Sequence, residues 1–279
     1  MRINLGLLLA TMLFHSLSYA QLQQELSSEL VRHTLVLRNF YAGQKLRFDK
    51  DGALISGGTP GQLPSEGRVY VEALQLKPGQ LVIRGERPIP IFDPASGQTT
   101  LLGLHQKIEV AILLPSDKPT SDAARELLDK VFLTPGETNA LACSTDEEKA
   151  FREWALQAGF VSAKPGSEKS SNGPRQLCFP GGSRGYLAGN GVIPPEALKT
   201  FDPAYPPGVA RSHEDTSVVL ALIVDSVGKP TSLVVVAGAA TVFDLNAISA
   251  VRAWKFRPGS RQGRAVPTAI HVEVNFRSR

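Results

Sequence analysis

The sequence predicts an α+β protein: a small antiparallel β domain, then a helical middle segment, then a C-terminal domain of order ββαβ. Three observations carry this expectation. Apolar residues alternate in short runs between residues 31 and 115, the period lengthens to helical spacing between about 120 and 158, and a regular strand, strand, helix, strand pattern begins at Ser217.

The elements follow in order. Arg2 gives a basic start, Leu5 to Phe14 form an apolar run, and Ser18-Tyr19-Ala20 resembles a cleavage site, so residues 1–20 read as an export signal. The run is shorter than the roughly 20 apolar residues that a membrane span needs, so cleavage after Ala20 is expected. Retention as a signal anchor is the alternative. A short amphipathic helix from Leu22 to Val31 then leads into a β domain within residues 21–115. Its strands are Leu35 to Tyr41, Arg68 to Leu76, Gln80 to Arg87 and Lys107 to Leu113, bounded by Gly, Pro and Asp turns. Residues 116–160 form a helical segment, with helices from Asp122 to Phe132 and from Asp146 to Ala158. The second is opened by a Thr145 and Glu148 capping box and carries Phe151 and Trp154 on one apolar face.

Residues 161–200 are rich in Gly, Pro, Ser and Lys and read as a linker. Residues 201–279 form the last domain: Val218 to Asp225, a turn over Ser226 to Pro230, Leu233 to Ala237, a helix from Phe243 to Lys255, and Thr268 to Phe276. Three strands under one helix leave one face covered and one edge open, and an open edge invites strand addition.

Composition restricts the function classes. Among 279 residues, 42% are hydrophobic and 20% charged, which fits a folded globular chain. The net charge of +4 is spread among nearly as many acids as bases, so nucleic acid is not an expected partner. The densest basic patch, Arg252, Lys255, Arg257, Arg261 and Arg264, reads as a solvated helix end and turn. Cys143 and Cys178 are the only cysteines, and in an oxidising compartment a bridge between them is expected. Two unpaired buried thiols are the alternative.

Catalytic chemistry is not expected. The five histidines are dispersed, and His213-Glu214-Asp215 sit too close in sequence to converge on one ion. Gly181-Gly182-Ser183-Arg184-Gly185 lacks the lysine of a phosphate loop and reads as linker. Neither a cofactor nor a metal is expected.

The motifs of the last domain are specific. Tyr205-Pro206-Pro207 precedes it, Leu222-Ile223-Val224-Asp225 meets Gly228-Lys229-Pro230 at the hairpin, and Phe243-Asp244 opens the helix. The run Ala250-Val251-Arg252-Ala253-Trp254-Lys255-Phe256-Arg257-Pro258-Gly259 resembles the A-V-x-x-W-x-[FY]-x-P signature of the TonB C-terminal domain family. Read physically, Ala250 is small where helix meets sheet, Trp254 anchors that face, Phe256 leaves the helix inward, and Pro258 stops it. Gly228 frees the turn and Asp225 accepts its hydrogen bonds.

The resemblance implies a non-enzymatic periplasmic module that docks on a TonB-dependent outer-membrane transporter by pairing its last strand with the transporter's N-terminal peptide. Those strand residues here are Thr268, Ala269, Ile270, His271, Val272, Glu273, Val274, Asn275 and Phe276. It departs from the family at Ser217, where a glycine is common, and at Gly238, where a serine is. Thr11 and His15 resemble, over two residues and with Thr in place of Ser, a family anchor pattern that engages an ExbB/ExbD-type inner-membrane complex, but a polar break inside a signal peptide is the preferred reading. Leu37-Arg38-Asn39-Phe40-Tyr41 and Ile55-Ser56-Gly57-Gly58 resemble the leading domain of exported TonB-like proteins.

Two functional classes remain open. One is an energy-coupling transducer, the other a soluble envelope adaptor that uses the same peptide-binding domain. A second copy of the chain competes for the same edge as a homodimer partner. Residues 161 to 205 would reach at most about 140 Å as polyproline II at roughly 3.1 Å each, and their proline spacing does not support that form.

Overall fold

The computed structural model describes residues 19–93, 96, 98–117, 119–157, 173–209 and 215–277, without the side chains of 102–105. Residues 1–18, with Thr11 and His15 and most of the expected export signal, lie outside them. So do residues 161–172 of the expected linker, and His213 and Glu214.

Helix α1 (Tyr19–Leu30) leads to β1 (Thr34–Val36), β2 (Lys45–Phe48), β3 (Leu54–Ser56), β4 (Arg68–Lys77), β5 (Gln80–Asp93) and β6 (Gln98–Leu113). Helices α2 (Ser121–Val131), α3 (Pro135–Leu141) and α4 (Thr145–Gln157) follow. Next come β7 (Gln176–Phe179), β8 (Ser183–Leu187), β9 (Val192–Ile193) and β10 (Glu196–Lys199). The chain closes with β11 (Thr216–Val224), β12 (Pro230–Ala237), α5 (Thr241–Arg252), β13 (Lys255–Arg257), β14 (Ser260–Arg261), β15 (Arg264–Ala265) and β16 (Thr268–Phe276).

In the N-terminal half α1 buries Leu22 and Leu26, and α2 buries Ala124, Leu127, Leu128 and Val131. They pack on Leu46, Phe48, Val69, Val71, Leu81, Ile83, Val110 and Ile112 of the sheet, where each large apolar side chain contributes about 1.5–3 kcal/mol. The sheet is not wholly antiparallel as expected, because β2 runs parallel to β6 from Lys45 opposite Glu109 to Phe48 opposite Ile112.

Two helix starts differ from the sequence reading. Thr134 and Glu137 form a capping box that opens α3, an element the periodicity does not reveal in seven residues. At α4 the cap lies one residue earlier than expected: Glu147 N donates to Ser144 Oγ, while Ser144 N donates to the Glu147 carboxylate at 2.8 Å.

The long strand β5 joins the two halves. Its first part pairs antiparallel with β4 and β6, and its far end pairs parallel with β12 at Ile91 and Val235. Pro88 and Pro90 suggest an end at Arg87, yet the strand runs on to Asp93. The register shift between Glu86 and Pro88 absorbs the proline, as bulges do. One sheet of 11 strands therefore crosses the expected boundary at residue 115.

The linker expectation is corrected for residues 176–199, which form β7 to β10. Gly181 and Gly182, both with positive φ, make the β7–β8 turn, and β8 lies against β16. The expected single covered face is corrected too. Val218, Leu220, Leu222 and Val224 pack under α5, while Val219, Ala221 and Ile223 pack against Phe92, Phe151, Leu177 and Phe179. A strand buried on both faces reads as an unbroken apolar run, and Val218 to Val224 is one.

Candidate functional site

Strand β16 alternates along its length. Ile270, Val272, Val274 and Phe276 join the core under α5, Ala269 packs on the opposite face, and Glu273 and Asn275 are exposed. One side of the strand is fully used: β11 pairs with it antiparallel over nine residues without a shift, from Thr216 opposite Phe276 to Val224 opposite Thr268. On the other side, among the described residues, only β8 pairs, at Thr268 and Ala269. Ile270 to Phe276 thus presents an unpaired edge.

The direction of that edge follows from one bond. Tyr186 N donates to Pro267 O at 2.8 Å, so the backbone groups of odd-numbered residues face outward along this regular strand. His271, Glu273 and Asn275 therefore offer N–H and C=O groups to an incoming chain, and Ile270, Val272 and Val274 bond to β11.

Beside this edge lies a groove of about 500 Å³ lined by Phe201, Asp202, Tyr205, Trp254, Glu273 and Asn275 among others. Trp254 Nε1 donates to Phe201 O at 2.9 Å and fixes the segment ahead of the domain. Tyr205 stacks edge-on against Phe243 at 5.6 Å, and Phe243 against Phe276 at 4.9 Å, which secures the groove to α5. Pro206 is buried next to Tyr205.

The hairpin motif builds as expected: Asp225 Oδ1 accepts from Val227 N at 3.0 Å and from Lys229 N at 2.8 Å. Gly228 has φ +85°, and a Cβ there would lie 2.0 Å from Phe256 O. Other motif roles are corrected. Helix α5 ends at Arg252 with Ala253 as its cap, so Pro258 does not stop it, and Phe256 enters the core from β13. Trp254 is half-buried at the groove rather than sealed in the core. Asp244, at the start of α5, accepts from Ala239 N, and burial raises its pKa above the ordinary value.

Sequence reasoning missed what covers the other face of β16. Cys143 and Cys178 are bonded, with Cα atoms 5.7 Å apart, and tie the start of α4 to β7. Arg184 on β8 pairs with Glu147 on α4, and that pairing, with Ser144 N, holds the Glu147 carboxyl at about 2. Trp154 then lies over His271, the only residue of β16 whose ring joins α4. The aromatic face Phe151 and Trp154 was the available signal.

The described residues hold no group of three or more His, Cys, Asp or Glu placed to take a metal, and none of their helices is long and apolar enough to cross a membrane. What the site offers is backbone hydrogen-bonding capacity beside an aromatic groove. Residues 202–278 match the family described as Gram-negative bacterial TonB protein C-terminal, the family that the Trp254 motif resembles, over about a quarter of the chain. No curated protein sequence matches the chain.

Proposed function

We propose that this chain is a non-enzymatic, periplasmic TonB-like protein that binds outer-membrane TonB-dependent transporters by adding an extended transporter peptide to β16. The unpaired edge at His271, Glu273 and Asn275 carries the reading. Main-chain pairing supplies affinity in this mode and flanking pockets supply specificity, a role the Trp254 and Tyr205 groove fits. Thr268 and Ala269 drop out of the docking set, since β8 occupies them. The test is binding of synthetic peptides from the N-termini of the same organism's outer-membrane receptors to the full exported chain. Saturable binding that Glu273→Pro abolishes supports the proposal, and equal binding by that folded variant refutes it.

Energy coupling through an ExbB/ExbD-type complex additionally needs an inner-membrane attachment and reach. One observation favours the alternative of a soluble envelope adaptor: residues 176–199, part of the expected spacer, are built into strands and do not extend. N-terminal sequencing of the mature protein separates the two. A chain beginning at Gln21 is an adaptor, and one retaining the leader is a transducer.

A further inference from the structure

We propose that the cavity at the β5–β12 seam is a binding site for a small oxyanion of the phosphate class, held jointly by Arg68, Arg87 and Arg252. The cavity has a volume of about 270 Å³. At roughly 30 Å³ for each water, it has room for a tetrahedral anion with part of its hydration shell.

The charge balance of its walls argues for the anion. Among the described residues, four cations, Arg68, Arg87, Lys229 and Arg252, line it with a single carboxylate, Glu66. Glu66 is already committed, with Oε1 on Lys229 Nζ at 2.6 Å and Oε2 accepting from Gln62 N at 2.8 Å. Among the described residues none of the three guanidinium groups forms an ion pair in the cavity, and Arg87 feels the Glu66 carboxylate only at a distance. Arg87, 7% exposed, donates to the main-chain oxygens of Tyr41, Gly43 and Glu66. Arg252 donates to the neutral amide of Gln106. Arg68 has a buried Nε without a hydrogen-bond partner.

Burial of unpaired charge is costly, and a planar guanidinium fork matches an oxyanion in two bonds. Burial lowers Arg87 and Arg252 to about 10, and the charge of Arg252 pushes Arg87 the same way while Glu66 partly opposes it, so both are cations at neutral pH and repel each other. An anion between them reverses that repulsion. Arg252 thereby leaves the solvated basic patch that the sequence suggests.

The site also has a structural consequence. Arg68 and Arg87 belong to the N-terminal half, whereas Lys229 and Arg252 belong to the half that matches the TonB family. Among the described residues the backbones of β5 and β12 pair only at Ile91 and Val235, so a shared anion would strengthen their junction. This inference does not depend on what docks at β16.

The experiment is titration of the full exported chain with inorganic phosphate at neutral pH and fixed ionic strength, read by calorimetry and by melting temperature. The expected result is saturable binding below about 10 mM with a rising melting temperature, as linkage requires. Arg68→Gln and Arg252→Gln should each weaken it by about tenfold or more. In phosphate-free buffer neither variant should melt below the parent, since each removes an uncompensated charge, and this keeps a failure of folding distinguishable from a loss of binding. Glycerol phosphate in parallel separates a free ion from an esterified phosphate, either of which supports the site. Absence of binding, undiminished binding by the double variant, or binding of succinate in place of phosphate would overturn the proposal.

Discussion

The indole of Trp154 on α4 stacks on the imidazole of His271 on β16, with ring centroids 3.7 Å apart and planes inclined by 25°. His271 Nε2 is buried without a hydrogen-bond partner, and burial lowers the pKa of the ring from 6.5 to about 4. The folded state thus keeps the ring neutral where the unfolded chain would protonate it. Its contribution is complete above pH 6.5 and is lost as the pH falls toward 4. His271→Phe preserves the stack and removes the titration, so its urea midpoint should fall less than the parent's between those two pH values. Parallel midpoints for the two proteins would show that His271 does not titrate in this way.

The Cys143–Cys178 bond closes a separation of 35 residues, and the loop-entropy estimate assigns it about 3–4 kcal/mol. Replacing both cysteines by serine should lower stability by about that amount, with α4 the first element to lose amide protection in hydrogen exchange. Two free thiols in the denatured, unreduced protein would contradict the bond.

Proline at neighbouring positions of β16 should have opposite consequences. Val272→Pro removes a donor to β11 and should destabilise the domain by about 3 kcal/mol or more. Glu273→Pro removes an outward donor, so the fold should persist with near-parent circular dichroism while peptide binding and any pairing with a second copy both fail. The reverse pattern would mean that the edge faces the other way.

Phe256 and Trp254 divide the roles that their shared motif suggests. Phe256 is 5% exposed in the core under α5, and Phe256→Ala should cost about 3–5 kcal/mol. Trp254 is half-buried, so Trp254→Ala should cost clearly less, with the larger effect on peptide affinity through the groove. Equal losses of stability in chemical denaturation would place Trp254 in the core instead.

The sequence by itself determined the local structure. The alternation from Thr268 to Phe276, the turn at Asp225 and Gly228, and the Trp254 motif locate β16 and its hairpin, because period, turn chemistry and capping depend on residues within a few positions of one another. Composition misled over residues 176–199, since Gly and Pro mark a tight hairpin as readily as a spacer. Only the tertiary structure decided which edge of β16 is free, which of its amides face outward, and how α4, β8 and the disulfide cover its second face. It alone brought Arg68, Arg87 and Arg252 to one cavity, although Arg252 stands in a stretch that reads as solvated. These relationships join residues up to 184 positions apart, and their strength comes from burial and charge among groups that no local pattern places together.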